Sequence, residues 1–145
     1  MKRSRPEKGD IIYSNIGTLG EATLVDQNFE YSIKNVALFK PRSASYSPFL
    51  YCYLADLDTL RLLQSRASGT SQKFFSLEFL RATEVKVPSN DLVCLFASKV
   101  TPILEYRSSL NKRNHNLHRT RDLLLPRLLS GGLLLAPPED GSEAA

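Results

Sequence analysis

The chain has 145 residues, 42% of them hydrophobic and 23% charged, with a formal net charge of +4. This suits one ordinary folded domain and argues against both a disordered polyelectrolyte and a membrane-embedded protein. No apolar run follows the basic start MKRSRPEKGD, and Pro126, Arg127, Gly131 and Gly132 interrupt the leucine-rich LLLPRLLSGGLLLA, so neither a signal peptide nor a bilayer span is expected and the protein is placed in the cytoplasm.

The first elements are short. Ile11 to Ser14 reads as a strand between the Gly9-Asp10 turn and a second turn over Asn15 to Gly20. Ala22 to Val25 reads as another strand, and YSIKNVALFKP alternates well enough to be a third. Ser47-Pro48 has the form of an N-cap with proline at the first helical position, opening PFLYCYLADLDTLRLLQSRASG. That stretch is one helix, or two joined near Asp56 to Asp58, and is expected to end at Ser68-Gly69. GTSQKFFS is a polar turn leading into a short helix capped by Ser76, and EVKVP is a brief alternating strand stopped by Pro88. Residues 8–88 are therefore expected to form a compact α+β unit, a small mixed β-sheet/helix body.

Beyond Pro88 the pattern becomes helical. Phe96, Ile103, Leu110, Leu117 and Leu124 recur every seven residues, with mixed residues between them, the signature of a coiled-coil-like seam with a polar middle. Thr101-Pro102 either caps a new helix or kinks a continuous one, and Pro126 is expected to end it near Leu125. A helix from Pro102 to Leu125 would be about 36 Å long, whereas a domain of about 100 residues has a radius of gyration near 13 Å, so much of it is expected to project and to need a partner helix. Residues 89–131 thus form a helical arm, and the acidic, proline-led residues 132–145 a flexible tail.

Candidate chemistry is sparse. Gly17-Thr18-Leu19-Gly20 lacks the Gly-Lys-Ser/Thr ending of a phosphate loop and precedes a strand rather than a helix. His115 and His118 lie three apart on the arm without a carboxylate or cysteine at helical spacing, so no metal site is expected. Cys52 and Cys94 are expected to be buried thiols. With only two histidines and no acidic pair set for proton transfer, no catalytic set and no cofactor are expected. The charge distribution says more, since Lys99, Arg107, Lys112, Arg113, Arg119, Arg121 and Arg127 face only Glu105 and Asp122 between residues 99 and 127. In SRASGTSQKFF, Arg66 and Lys73 suit phosphates, and Thr70, Ser71 and Gln72 suit phosphate or base-edge contacts. The same stretch equally fits a helix C-terminus followed by a solvated turn.

Taken in order, KGDIIYSNIGTLGEATLV, NVALFKP, PFLYCYL, ASGTSQKFFSLEFLRATEVKVP and LHRTRDLLLPRLLSG resemble the specificity (S) subunit of type I restriction-modification systems over about residues 8–131. In that family, two target-recognition domains each read half of a bipartite DNA site, and long helices fix their spacing and dock the methyltransferase subunits. The resemblance implies a noncatalytic DNA-binding subunit or half-subunit, corresponding to the C-terminal part of a recognition domain plus its helical arm. Its implied partners are double-stranded DNA, the methyltransferase (M) subunit and, as a further candidate, the restriction (R) subunit. On this reading Lys34, Arg42, Arg66 and Lys73 give weak, largely nonspecific duplex binding, with Thr70, Ser71 and Gln72 between them. Two copies are expected to pair antiparallel through Phe96, Ile103, Leu110, Leu117 and Leu124. The alternative is an assembly-only remnant that dimerises without reading DNA.

Overall fold

The computed structural model of the chain describes residues 5–27, 36–67 and 73–131. Its elements are β1 (Ile11–Ser14), β2 (Ala22–Leu24), β3 (Val36–Phe39), α1 (Tyr46–Ala55), α2 (Leu57–Ser65), α3 (Leu77–Ala82) and α4 (Asn90–Leu129). The class is α+β, as expected, with a small antiparallel sheet, short helices and one long C-terminal helix. The chain divides into two compact units, Met1–Tyr106 and Arg107–Ala145.

β1 is the central strand, in the order β2-β1-β3. Ile11 pairs with Leu24 on one side and Phe39 on the other, while Tyr13 lies between Ala22 and Ala37. Alternation along β1 turns Ile11 and Tyr13 inward, and both are fully buried. The flanking alanines leave room for the Tyr13 ring, which meets Phe39 edge-on at 5.9 Å and Phe75 face-on at 6.1 Å. Ala37, Tyr51, Leu54, Leu63 and Leu80 complete this core.

The Asn15–Glu21 connection is a hairpin turn. Gly20 donates its N–H to Ser14 O at 2.9 Å and Ser14 donates to Glu21 O at 2.9 Å. Gly20 has φ +87, a backbone conformation that favours glycine, and a Cβ there would also displace the Leu60 side chain. The glycine-spaced stretch that invited comparison with a phosphate loop leads into β2 and serves this turn.

Several elements differ from expectation. α1 starts at Tyr46 after Ser45, not at Ser47-Pro48. Tyr46 N to Ser43 O and Ser47 N to Ala44 O bonds already wind the chain one turn earlier, and Pro48 is tolerated in the first turn, where backbone N–H groups lack helical acceptors. The following stretch is two helices. Asp56 is extended, with φ −72 and ψ 135, and its Oδ2 accepts from Thr59 N at 2.9 Å, so it both ends α1 and caps α2. α2 ends at Ser65 rather than at Ser68-Gly69; those two residues, like 28–35, 70–72 and the tail 132–145, lie outside the described residues.

Ser76 does cap α3, accepting from Phe79 N at 3.0 Å. EVKVP, by contrast, forms no strand among the described residues, because alternation alone does not make a ladder without a neighbouring edge to pair with.

α4 runs unbroken through Pro102 and Pro126. Proline removes a single intrahelical donor, and on this exposed surface water can satisfy the carbonyl left free. Past Pro126 the backbone bonds resume, Ser130 N reaching Pro126 O at 3.0 Å. Within the first unit, Val93 and Ala97 are buried and Leu104 packs on the core. Of the two cysteines, Cys52 is half-buried while Cys94 is exposed, contrary to the expectation of two buried thiols. No helix among the described residues is long and apolar enough to cross a membrane.

Candidate nucleic-acid interface

The chain order β1, α2, α3 determines where the candidate DNA-facing residues fall. Arg66 closes α2, with φ −109 and ψ 5, and is exposed; Lys73 is exposed at the far side of the following connection. Neither makes an ion pair with the described residues. The returning chain is fastened to the end of β1 at three points. Phe75 N donates to Asn15 O at 2.9 Å, Asn15 Nδ2 donates to Phe75 O at 3.1 Å, and Ile16 and Phe74 form an isolated antiparallel bridge.

Phe75 is fully buried beneath this fastening, while Phe74 remains 39% exposed next to Lys73. A buried anchor, an exposed aromatic and a cation therefore follow one another in sequence. Such an arrangement can offer a charge to a phosphate and an apolar ring to a sugar or base. Asn15 is itself buried, and its Oδ1 has no partner among the described residues. The Tyr13 hydroxyl is likewise buried without a partner, and burial pushes its pKa up to about 12, so it stays protonated and belongs to the core.

The opposite end of the sheet has a different electrostatic character. The register Ile11↔Phe39 puts Asp10 across from Lys40. Lys40 Nζ lies 3.0 Å from Asp10 Oδ2 and 3.4 Å from Glu7 Oε2, while Asp10 Oδ2 also accepts from Glu7 N at 2.9 Å. The hydrogen bond to Asp10 raises the Lys40 pKa above its ordinary value. The sequence reading missed this pair, whose signal was the cross-strand register joining GDII to LFKP.

Arg42, exposed shortly after β3, belongs to this end. Arg66 and Lys73 thus stand at the two borders of one connection, while Arg42 follows β3 at the end of the sheet that carries the Asp10–Lys40 pair. Lys34, Thr70, Ser71 and Gln72 lie outside the described residues.

On α4, Ile103, Leu110, Leu117 and Leu124 are all exposed, and Phe96 is 38% exposed. Successive sevenths advance only about 20° around a helix, so the five share one side. Arg121 is bound to Asp122 in its own helix through Nε at 2.9 Å and Nη2 at 2.7 Å.

With this geometry in place, comparison with known proteins gives one clear likeness. The type I restriction enzyme HindI specificity subunit of Haemophilus influenzae is 30% identical over 131 residues, 90% of this chain. This chain is homologous to part of a type I restriction specificity subunit. It spans 28% of that relative's length. No protein-family model matches the chain.

Proposed function

We propose that this protein is a noncatalytic DNA-recognition and assembly module of a type I restriction-modification system. The observation that carries the proposal is the likeness to a specificity subunit along 90% of the chain, which runs through both the sheet-bearing unit and the long helix. In this reading residues 8–88 are the partial recognition domain, residues 89–131 the dimerisation and spacer arm, and residues 132–145 a tail. Arg66 and Lys73 bind phosphates of double-stranded DNA from the borders of the α2–α3 connection, with Thr70, Ser71 and Gln72 between them. Arg42 and Lys34 supply further positive charge. The helix side bearing Phe96, Ile103, Leu110, Leu117 and Leu124 pairs with a second copy, and the methyltransferase subunit, with the restriction subunit as a further candidate, docks on the assembly and brings the chemistry.

Duplex binding followed by fluorescence anisotropy at stepped salt concentrations tests the reading. Phosphate contacts release condensed counterions, so affinity should fall steeply as salt rises. A chain that forms dimers yet shows no salt-dependent duplex binding would instead be an assembly-only module, a second reading favoured by the exposed leucines of α4.

A further inference from the structure

The arm carries a second distinctive face that the proposed function leaves unused. From Tyr106 to Arg121 there is no acidic residue, and the segment holds Arg107, Lys112, Arg113, Arg119 and Arg121 together with His115 and His118. Lys112, His115 and Arg119 stand at i, i+3 and i+7, which places them on one side of the helix along about 10.5 Å of its axis. All three are exposed. At about 100° per residue, their mean direction lies roughly half a turn from that of Leu110, Leu117 and Leu124, so pairing through the leucines would leave the basic side open.

The neighbours on that side are short and polar, with Asn111 and Asn116 flanking the stripe. Asp122, three residues beyond Arg119, is held by Arg121.

We infer that the Lys112–His115–Arg119 side of α4 is a second phosphate-contacting surface, which takes the backbone of duplex nucleic acid independently of the α2–α3 connection. The chemistry discriminates between classes of partner. A protein partner would require an apolar centre within its contact, and between residues 111 and 119 this side shows only Asn111, Lys112, His115, Asn116 and Arg119. A nucleic-acid backbone instead presents a regular line of charge, one phosphate per about 3.4 Å of axis on each strand, which long cations interleaved with amide donors suit well. The inference rests on the reading that this chain works on duplex DNA and extends the contact to the arm.

The test compares four full-length proteins binding one fixed duplex over a salt series: wild type, Arg66→Gln with Lys73→Gln, Lys112→Gln with Arg119→Gln, and all four changes combined. Glutamine retains good helix propensity, and circular dichroism confirms that the arm variant keeps its helix. Each lost phosphate contact lowers the slope of log affinity against log salt by about 0.9. The arm pair should therefore flatten the slope by about 1.8, and the combined variant by about twice that. If the arm pair leaves the slope unchanged while the body pair flattens it, this inference fails and the DNA-binding reading stands. If only the arm pair flattens it, the body site fails and this inference stands. Salt-insensitive wild-type binding removes both. An arm pair that keeps the wild-type DNA slope but no longer binds poly-L-glutamate would reassign the face to an acidic protein and overturn the inference.

Discussion

Leucines in the two units of this chain serve opposite ends. In the sheet-bearing unit Leu54 and Leu63 are 4% and 3% exposed, whereas on the helix beyond Tyr106, Leu110 and Leu117 are 44% and 69% exposed. In the first unit the sheet, α1 and α2 close over one another, and each buried leucine contributes about 1.5–3 kcal/mol to holding that fold. In the second the side chains follow a single helix, which cannot bury its own stripe. Apolar character there gains nothing from folding alone and gains a great deal from a partner surface. The same residue type is thus a stability element in one unit and, in the proposed function, an association element in the other.

That contrast can be broken first where the effect is largest. Leu54→Ala opens a cavity in the core formed with Tyr13, Tyr51 and Leu63 and should cost about 2–5 kcal/mol of stability, read by chemical denaturation of the sheet-bearing unit. Leu110→Glu with Leu117→Glu should leave that stability within about 0.5 kcal/mol of wild type, because exposed positions contribute little to folding, while converting a dimer into a monomer in sedimentation. A wild-type chain that sediments as a monomer would remove self-pairing, and a variant that still dimerises would move the interface to the other unit.

A smaller effect, confined to the first unit, comes from its charges. Lys40, with its pKa raised chiefly by the hydrogen bond to Asp10, contributes stability that is fully present below its ordinary value of 10.5 and is lost as pH rises through its higher folded value. Asp56, with its pKa lowered chiefly by the Thr59 backbone N–H, contributes stability that is present above its ordinary value of 3.8 and is lost as pH falls through its lower folded value. Lys40→Met should flatten only the alkaline side of a stability-against-pH curve, and Asp56→Ala only the acid side. A Lys40→Met curve that keeps the alkaline loss would assign that loss to other groups.

Much of the fold was legible in local chemistry. The alternation of Ile11 to Ser14, the Asn15 to Gly20 turn, the Ser76 cap and the helix after Pro88 all depend on neighbours in sequence, and each appears where local rules place it. The misreadings share a different origin. EVKVP alternates like a strand but has no ladder partner among the described residues. Pro126 reads as a stop, yet a solvated helix surface absorbs one missing donor. Ser47-Pro48 reads as a start, yet Ser43 and Ala44 have already turned the chain.

The candidate interface divides the same way. The cations Arg66 and Lys73 were visible as residues, but two features that position or oppose such charges were not. The Asn15 to Phe75 fastening joins residues 60 apart in sequence. The Asp10–Lys40 pair exists only once the β1–β3 register is set.

The proposed binding of duplex DNA at the borders of the α2–α3 connection can be checked by measuring the salt dependence of duplex affinity for wild type and for Arg66→Gln with Lys73→Gln. Affinity should fall steeply with salt in the wild type, with a log–log slope reduced by about 1.8 in the variant and binding weakened alike for every duplex sequence. An unchanged slope and affinity in the variant would contradict it.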